Sequence, residues 1–578
     1  MLSKSIFLCL AISILDGASA APSAPPGPPS KPSEIAREWW RDSFIYQIYP
    51  RSFKDSDGDG VGDLKGIISK LDHFVDLNVS AFWLSPIFKS PMVDFGYDIA
   101  NFTEIDPIFG TIDDFTKLTE EAHKRGLKVI LDWVPNHSSD EHPWFAKSVK
   151  RIKPYDEYYV WKDAKIINGT RHPPNNWLSI FLGSAWEWNE ERKQYYLHQF
   201  APKQPDLNFR SPALRKEMEE ALLFWVNRGA DGYRIDSIIF MYEDAQFRDE
   251  PVIPNSGKPA DDPGNLRHIY TQDLNETYDL LLSWRKLLDS VGGEKRIIMS
   301  EAYTSLPNIM KYYKYGSNVP FNFMFVTGLN NRSRAIDFKR SIDGWLNSIP
   351  KGDYIANWVV DNHDNPRTAT RFGTARADQT SMLAAILPGL GVIFNGDEIG
   401  MEGLDIPWDQ TVDPQACYAG PDRYKAVTRD PERTPYQWDN TLSAGFSTNK
   451  TTWLPVNPNY KTLNLAEQKR VQSPTSHYHI HKKLIALKQH PVAKSGSTEV
   501  ILVTENILGV VRRLPNASPL VLLINFLDQP IKVDASAWMN IPQDMTVYVA
   551  SNSSGIPFGV HLDTAALNLP ASASVILT

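Results

Sequence analysis

Short apolar segments alternate with amphipathic stretches along most of the chain, which is the pattern of a parallel α/β fold. Eight of the apolar segments are strand-like, and the stretches between them repeat apolar residues every three or four positions. The predicted strands are 44–49, 81–84, 128–132, 232–236, 296–301, 321–325, 358–361 and 392–395. Helices predicted between them include 64–77, 112–125, 214–227 and 382–387. Eight such units predict a (β/α)8 barrel, or TIM barrel, as the fold class.

Two regions depart from this alternation. Residues 137–208 are rich in Trp, Tyr, Asn and Pro, and a connection that long seldom lacks structure of its own. We therefore predict an inserted subdomain B at 137–208, leaving the barrel after its third strand, with the catalytic barrel at 39–136 and 209–490. From 491 to 578, short strands at 500–503, 509–511 and 520–525 predict a C-terminal antiparallel β-domain.

The N-terminus has the features of a secretory signal peptide. A basic start, an apolar run over 6–15 and the small residues Ala-Ser-Ala predict cleavage after Ala20, so the signal is 1–20. A Pro-rich leader follows at 21–38. No later stretch reaches the about 18 apolar residues of a membrane span, and the C-terminus is too short for a lipid-anchor signal. We expect a secreted protein without a membrane anchor, glycosylated at some of its nine Asn-x-Ser/Thr sequons.

Charge and cysteine content narrow the classes of function. The net charge of −8 argues against a nucleic-acid partner. Seventeen Trp and twenty-three Tyr could stack on sugar rings, although such residues also fill cores. Of the two cysteines, Cys9 would leave with the signal, so Cys417 has no intrachain partner.

An acidic, glycine-containing loop runs from Asp55 to Asp63. Carboxylates at alternate positions and flexible glycines match an oxygen-ligand Ca²⁺ loop. It is not an EF-hand, because Gly66 occupies the position where a bidentate Glu is needed. The sequence predicts a structural calcium ion, and a solvated acidic turn is the alternative. The predicted ligands are Asp55, Asp57, Asp59, the carbonyl of Val61, and Asp63.

Polar residues follow several predicted strands at their C-terminal ends, which form the active face of a TIM barrel. Arg234 and Asp236 lie on one side of the fourth strand, and an Arg so close keeps a carboxylate ionised, as a nucleophile requires. A structural ion pair is the alternative. Glu301 and Asp364 end later strands. Carboxyl groups that converge in this way suit glycoside hydrolysis, where one attacks and another donates a proton.

Six motifs carry a family resemblance, and they cover the chain from about Trp39 to its end. They are Asp132-Trp-Val-Pro-Asn-His137, Gln204-Pro-Asp-Leu-Asn208, Gly232-Tyr-Arg-Ile-Asp236, Ser300-Glu-Ala-Tyr303, Val360-Asp-Asn-His-Asp364 and Arg433-Thr-Pro-Tyr-Gln-Trp438. With them the chain resembles the α-amylase superfamily in its α-glucosidase and oligo-1,6-glucosidase branch, and most closely the secreted insect maltases. The resemblance implies an exo-acting retaining α-glucosidase that hydrolyses substrates such as maltose, sucrose and malto-oligosaccharides.

The resemblance also implies roles for individual residues. Asp236 would be the nucleophile, oriented by Arg234, and Glu301 the general acid and then the base. Asp364 would bind sugar hydroxyls and stabilise the transition state. The remaining substrate-binding residues would be His137 and His363 on the same glucose, Tyr97 under its ring, and Asp94 with Arg433 closing the far side of the pocket.

Departures from the family pattern bear on specificity. Ser237 stands where related oligo-1,6-glucosidases carry a Val associated with α-1,6 links, which favours α-1,4 and α-1,2 links here. The positions after it, 238–240, lack the Lys-His pair usual in α-amylases, which disfavours starch endo-hydrolysis. A transglucosylase or sucrose isomerase is the alternative of the same class. A catalytically inactive, receptor-like binding protein is the alternative of another class, and the oligomeric state stays open.

Overall fold

A computed structural model describes residues 38–578 of the chain, apart from 471–474. The predicted signal peptide at 1–20, and the leader at 21–38 except for its last residue, lie outside the described residues. Residues Trp39–Thr578 form one compact unit. Among the described residues, no helix combines the length and the apolar character needed to cross a bilayer.

Eight parallel strands form a single sheet, and this confirms the predicted barrel. When the eight strands are numbered in chain order, they follow one another around the sheet as 6-5-4-3-2-1-8-7. Nearly every strand residue is buried, as expected where both faces of a parallel sheet are covered. The strands are Phe44–Ile48, Ala81–Leu84, Lys128–Trp133, Gly232–Ile235, Ile297–Ser300, Val319–Pro320, Asn357–Val359 and Leu390–Phe394.

The sixth strand was predicted at the wrong place. It spans Val319–Pro320, and the end of the predicted range belongs to the short helix Met324–Thr327. The alternating phenylalanines that suggested a strand are buried by packing in the core rather than by sheet pairing. Between the sixth and seventh strands, the side chain of Asn357 donates to the carbonyl of Pro320 (2.7 Å) and accepts from the N–H of Asn322 (2.8 Å). A side chain thus satisfies backbone groups where the ladder ends.

Helices cover the outside of the barrel. The predicted helix at 64–77 is divided in two near Ser69 and Lys70. Caps fix several starts: Thr111 and Asp114 form a capping box, and Ser211 caps a helix that begins with Pro212. The principal helices are Leu64–Ile68, Leu71–Leu77, Ile112–Lys124, Pro212–Val226, Asn275–Ser290, Leu306–Lys314, Ala335–Ser348, Gln379–Ile386 and His477–Leu487.

Between the third barrel strand and the helix Pro212–Val226, the range predicted as subdomain B, 137–208, has secondary structure of its own. It contains a helix and a small core that includes Trp177, Trp186 and Tyr195. Because it leaves the barrel at the C-terminal end of a strand, it flanks the active face. Its elements are the helix Pro143–Val149, the antiparallel strands Trp161–Lys162, Trp186–Asn189 and Gln194–Leu197, and the hairpin Lys165–Ile167 with Thr170–His172.

The last part of the chain forms the predicted antiparallel β-domain. After the helix Pro491–Ser495, six strands make one sheet over a core of its own. The sheet also packs on the fully buried barrel helix Gln379–Ile386, which explains why that helix is apolar on all sides. The strands are Ser497–Thr504, Ile507–Arg513, Leu520–Asn525, Asp544–Ala550, His561–Asp563 and Ser574–Leu577.

Candidate active site

A cavity of about 400 Å³ lies at the C-terminal ends of the barrel strands. Most of the predicted site residues line it, although they come from segments far apart in the sequence. Arg234 and Arg433 are not among its lining residues and are buried beside residues that are. The predicted residues that line it are Asp94, Tyr97, His137, Asp236, Glu301, His363 and Asp364.

The side chain of Arg234 joins three carboxyl groups at the base of this cavity. Nη1 donates to Asp132 (2.8 Å) and to Asp236 (2.6 Å), while Nη2 lies 2.9 Å from Oε2 of Glu301. A fully buried guanidinium requires such partners, because an unpaired buried charge is strongly unfavourable. The ion pair suggested by the sequence is therefore present, and it lies inside the catalytic arrangement.

Glu301 is in the environment of a proton donor. Burial raises the pKa of Glu301 well above its usual value, and the nearby charges of Asp236 and Asp364 add to this against the opposing effect of Arg234. The backbone N–H of Ser237 donates to its Oε2 over 2.8 Å. A carboxyl group that keeps its proton near neutral pH can act as a general acid.

Asp364 is in the opposite environment. Burial acts to raise its pKa, but the guanidinium groups of Arg433 and Arg429 outweigh burial and lower it. Arg433 Nη2 lies 2.9 Å from Oδ1 of Asp364, and Arg429 Nη1 lies 3.5 Å from the same atom. Within one cavity, Glu301 is thereby held protonated and Asp364 ionised. Acid–base catalysis uses two carboxyl groups in such different protonation states.

Two tyrosine rings sandwich His363. Tyr97 stacks on it at 5.3 Å and Tyr49 at 5.5 Å between ring centroids. Gln47 Nε2 lies 2.8 Å from Nδ1 of His363, and the hydroxyl of Tyr97 lies 2.6 Å from Nε2. Burial lowers the pKa of His363 well below its usual value, so the ring is neutral.

His137 is the second histidine of the cavity. Its Nε2 lies 2.9 Å from the carbonyl of Tyr97 and 3.2 Å from Nε2 of Gln204. Burial lowers its pKa to about 4, so it too is neutral near pH 7. Gln204 belongs to the predicted subdomain B and also contacts Asp94 over 3.3 Å. These contacts join the insertion to the barrel loops that carry the predicted sugar-binding residues.

Asp94 and Arg433, which were predicted to close the far side of the pocket, have different partners. Arg433 is fully buried, and its Nε donates to the carbonyl of His363 over 2.8 Å. The partner of Asp94 is Arg429, whose Nη2 lies 2.9 Å from Oδ1 of Asp94 and which lines the cavity. Arg429 and Arg433 flank one 3₁₀ turn, and the sequence does not show which of them reaches Asp94.

Part of the cavity wall is apolar. Phe181 and Phe200 come from the predicted subdomain B, and Phe240 follows the fourth strand. Phe200 makes edge-to-face contacts with the other two, at 5.6 and 5.5 Å between ring centroids. Sugar rings present apolar faces to such surfaces. Sequence reasoning missed these residues, and only the aromatic richness of the insertion pointed to them. Further residues lining the cavity are Ile180, Ser237, Ile239, Gln272, Tyr303, Thr327, Asn365 and Gln415.

The acidic loop lies outside this cavity. Carboxylate oxygens of Asp55, Asp57 and Asp63 lie within 4.8 Å of one another. Asp59 is not part of that group, and its carboxylate accepts from the N–H of Val61 over 2.7 Å. Oxygen donors at this spacing are the type that Ca²⁺ prefers, so the residues fit such an ion. The calcium assignment stays a prediction.

The chain matches the family described as Alpha amylase, catalytic domain, over residues 47–496. It is 50% identical over 522 residues to Maltase 1 of Drosophila virilis, covering 88% of this chain and 82% of that protein. It is 43% identical over 557 residues to the salivary alpha-glucosidase of Anopheles gambiae, covering 93% of each. The crystal structure of the alpha-glucosyl transfer enzyme XgtA superposes with a TM-score of 0.81 at 33% identity, covering 94% of this chain and 100% of that one.

Proposed function

The chain belongs to the α-amylase family, and on that premise we propose that it is an exo-acting retaining α-glucosidase. Its substrates are di- and oligosaccharides that end in an α-linked glucose. The observation that carries the proposal is the guanidinium of Arg234, which lies 2.6 Å from Asp236 and 2.9 Å from Glu301. It holds two carboxyl groups close together in one cavity, as a retaining mechanism requires. The maltase and the α-glucosidase among its relatives support the substrate class.

In the first half-reaction, Asp236 attacks the anomeric carbon of the terminal glucose. The bond from that carbon to the leaving oxygen breaks, and Glu301 donates its proton to that oxygen. The product is a β-glucosyl ester on Asp236. The ionised Asp364 stabilises the positive charge that develops on the sugar ring, while Arg234 keeps Asp236 oriented.

In the second half-reaction, Glu301 accepts a proton from water, and the water oxygen attacks the anomeric carbon of the ester. The bond to Asp236 breaks and α-glucose leaves, so two inversions give retention. The backbone N–H of Ser237 holds one oxygen of Glu301, which keeps the group in place for both of its roles.

The exo mode is supported by the contacts of Arg429 at one end of the cavity, which we take to be closed. Arg429 contacts both Asp94 and Asp364 there, so we expect no room for a longer sugar chain beyond the terminal glucose. The small Ser237 at the other end favours α-1,4 and α-1,2 links, as in maltose and sucrose. Transfer to a second sugar is the alternative that the apolar wall and the similarity to XgtA keep open.

Calcium and secretion belong to the same proposal. A structural Ca²⁺ would bind Asp55, Asp57 and Asp63, with Asp59 and the Val61 carbonyl completing the shell, and it would offset the repulsion among their charges. The signal-like residues 1–20 and the salivary relative support secretion. Because the three catalytic carboxyl groups all line the cavity, a receptor-like binding protein is disfavoured.

The test is to incubate the purified protein with maltose, isomaltose, sucrose and trehalose and to follow the products by proton NMR. We expect glucose from maltose and sucrose, and the glucose released from sucrose should appear first as the α-anomer. From sucrose, the β-anomer appearing first would contradict the retaining mechanism. Isomerised disaccharides as main products would identify the enzyme as an isomerase, and no reaction with any α-glucoside would refute the proposal.

A further inference from the structure

Arg429 is held by a further carboxylate, Asp413, which does not line the cavity and is fully buried. Oδ1 of Asp413 accepts from Nε (3.0 Å) and Nη2 (2.5 Å) of Arg429, and its Oδ2 accepts from the backbone N–H of Arg429 (2.8 Å). Charge-assisted bonds of this forked kind fix the orientation of a guanidinium as well as its position.

Asp413 also holds a second element of the cavity wall. Its Oδ1 accepts from the N–H of Gln415 over 3.3 Å and so caps the helix Pro414–Ala419. Gln415 on that helix lines the cavity. One buried carboxylate therefore connects two parts of the chain that border the substrate.

The arrangement around Arg429 leaves its guanidinium little freedom. Nη2 contacts both Asp413 and Asp94, Nη1 faces Asp364, and the ring of Phe181 lies 5.2 Å from the guanidinium carbon. Of these contacts, only those to Asp413 involve Nε, the nitrogen nearest the flexible part of the side chain. Without Asp413, the guanidinium of Arg429 could rotate about the aliphatic part of its side chain. It would then move away from Asp94 and Asp364 at the closed end of the cavity.

We propose that Asp413 is a positioning residue that holds Arg429 across the closed end of the glucose pocket and thereby restricts the enzyme to the non-reducing ends of its substrates. This inference rests on the proposed exo-α-glucosidase activity and deepens it. It assigns the exclusion of longer chains to a residue that does not itself border the cavity.

The experiment compares maltotriose with maltotriose capped by an ethylidene group on its non-reducing glucose. Wild-type enzyme should cleave only the uncapped sugar. In D413A and D413N we expect a KM for maltose raised about 10-fold or more with a smaller change in kcat, because the lost contacts are charge-assisted. We also expect cleavage of the capped substrate at a rate at least about 10-fold above the wild-type background, because a loosened Arg429 no longer blocks the pocket.

Two further measurements distinguish a role of Asp413 in positioning Arg429 from a general loss of structure. D430N alters a carboxylate of the same loop that is equally buried but accepts from the N–H of Val412 and of Asp413 instead of from Arg429. It should keep the wild-type discrimination even if it lowers the melting temperature. Added formate should lower the KM of D413A, because it can replace the missing carboxylate beside Arg429.

The outcomes are distinguishable. Wild-type cleavage of the capped sugar would refute the exo mode and with it this inference. If the wild type rejects the capped sugar and D413A and D413N do so as well, with an unchanged KM, the exo mode stands and the role of Asp413 is refuted. Equal loss of discrimination in D430N would also refute it, since that variant leaves the contacts to Arg429 in place.

Discussion

The backbone N–H of Ser237 donates a 2.8 Å hydrogen bond to Oε2 of Glu301. Ser237 directly follows Asp236, the proposed nucleophile, and has a left-handed backbone conformation, with φ +48° and ψ +32°. Residues other than glycine seldom adopt this conformation, and they do so mostly where function or packing maintains it. The turn after Asp236 directs this backbone donor to Glu301, the proposed acid, and we infer that the hydrogen bond helps to maintain the strained conformation.

Replacing Ser237 by Val should destabilise the protein. A β-branched side chain fits the left-handed region worse than serine does, so we expect a loss on the order of 1 kcal/mol in the free energy of unfolding, which urea unfolding would measure. The larger side chain should also raise the ratio of kcat/KM for isomaltose to that for maltose. Ser237→Gly is the matched control, because glycine accepts this conformation. A Val variant as stable as the wild type would contradict the assignment of strain.

Asp236→Asn should abolish turnover with the fold intact. An amide cannot form the glucosyl ester, so we expect glucose release from maltose to fall by roughly 10⁴-fold or more. Circular dichroism and the melting temperature serve as controls for folding. A variant that remains active would show that another group is the nucleophile.

Glu301→Gln should change the pH dependence of activity. Because burial raises the pKa of Glu301 and its protonated form donates to the leaving group, wild-type kcat/KM should fall as the pH rises through that pKa. The Gln variant should lose this alkaline limb and roughly 10²–10⁴-fold of its activity on maltose. Its loss on α-glucosyl fluoride should be much smaller, since fluoride leaves without a proton. Equal losses on both substrates would argue against Glu301 as the acid.

Asp132 should make stability depend on pH. Burial, with the charge of Asp236, raises its pKa to about 7 in spite of Arg234, whereas its usual value is 3.8. The folded protein thus binds a proton that the unfolded chain has lost, and this stabilisation, complete below about pH 4, disappears as the pH rises to about 7. Asp132→Asn should flatten the free energy of unfolding over this range. If the free energy of unfolding depended on pH in the same way in the variant and the wild type, the proposed contribution of Asp132 would be contradicted.

Removing calcium should loosen the acidic loop. The N–H of Trp453 donates to the carbonyl of Gly60 (3.1 Å), and the hydroxyl of Ser447 donates to Asp55 (2.5 Å). Without a cation the clustered carboxylates repel, so a chelator should lower the melting temperature and change the fluorescence of Trp453, and Ca²⁺ should restore both. In Trp453→Phe the fluorescence change should shrink, whereas Trp538→Phe, at an exposed position, should keep it. A chelator without any effect would argue for a solvated turn.

The sequence by itself predicted the barrel and the positions of the catalytic carboxyl groups. Both rest on local patterns: a strand places alternate residues on one side, and the residues at its C-terminal end face the active side whatever the rest of the chain does. Asp236 and Glu301 could be predicted as site residues for this reason, whereas their individual roles are what the family resemblance implies. The sixth strand could not, since buried phenylalanines alternate equally well in a segment that packs in the core without sheet pairing.

Only the tertiary structure decided which arginine closes the pocket. Asp94 and Arg429 are 335 positions apart, and the 3₁₀ turn between Arg429 and Arg433 directs the two guanidinium groups to different partners. The bond from Ser237 to Glu301 and the support of Arg429 by Asp413 are likewise contacts between segments that no local period relates. Periodicity places a residue on its own element, whereas the partner of a buried charge depends on how the elements pack.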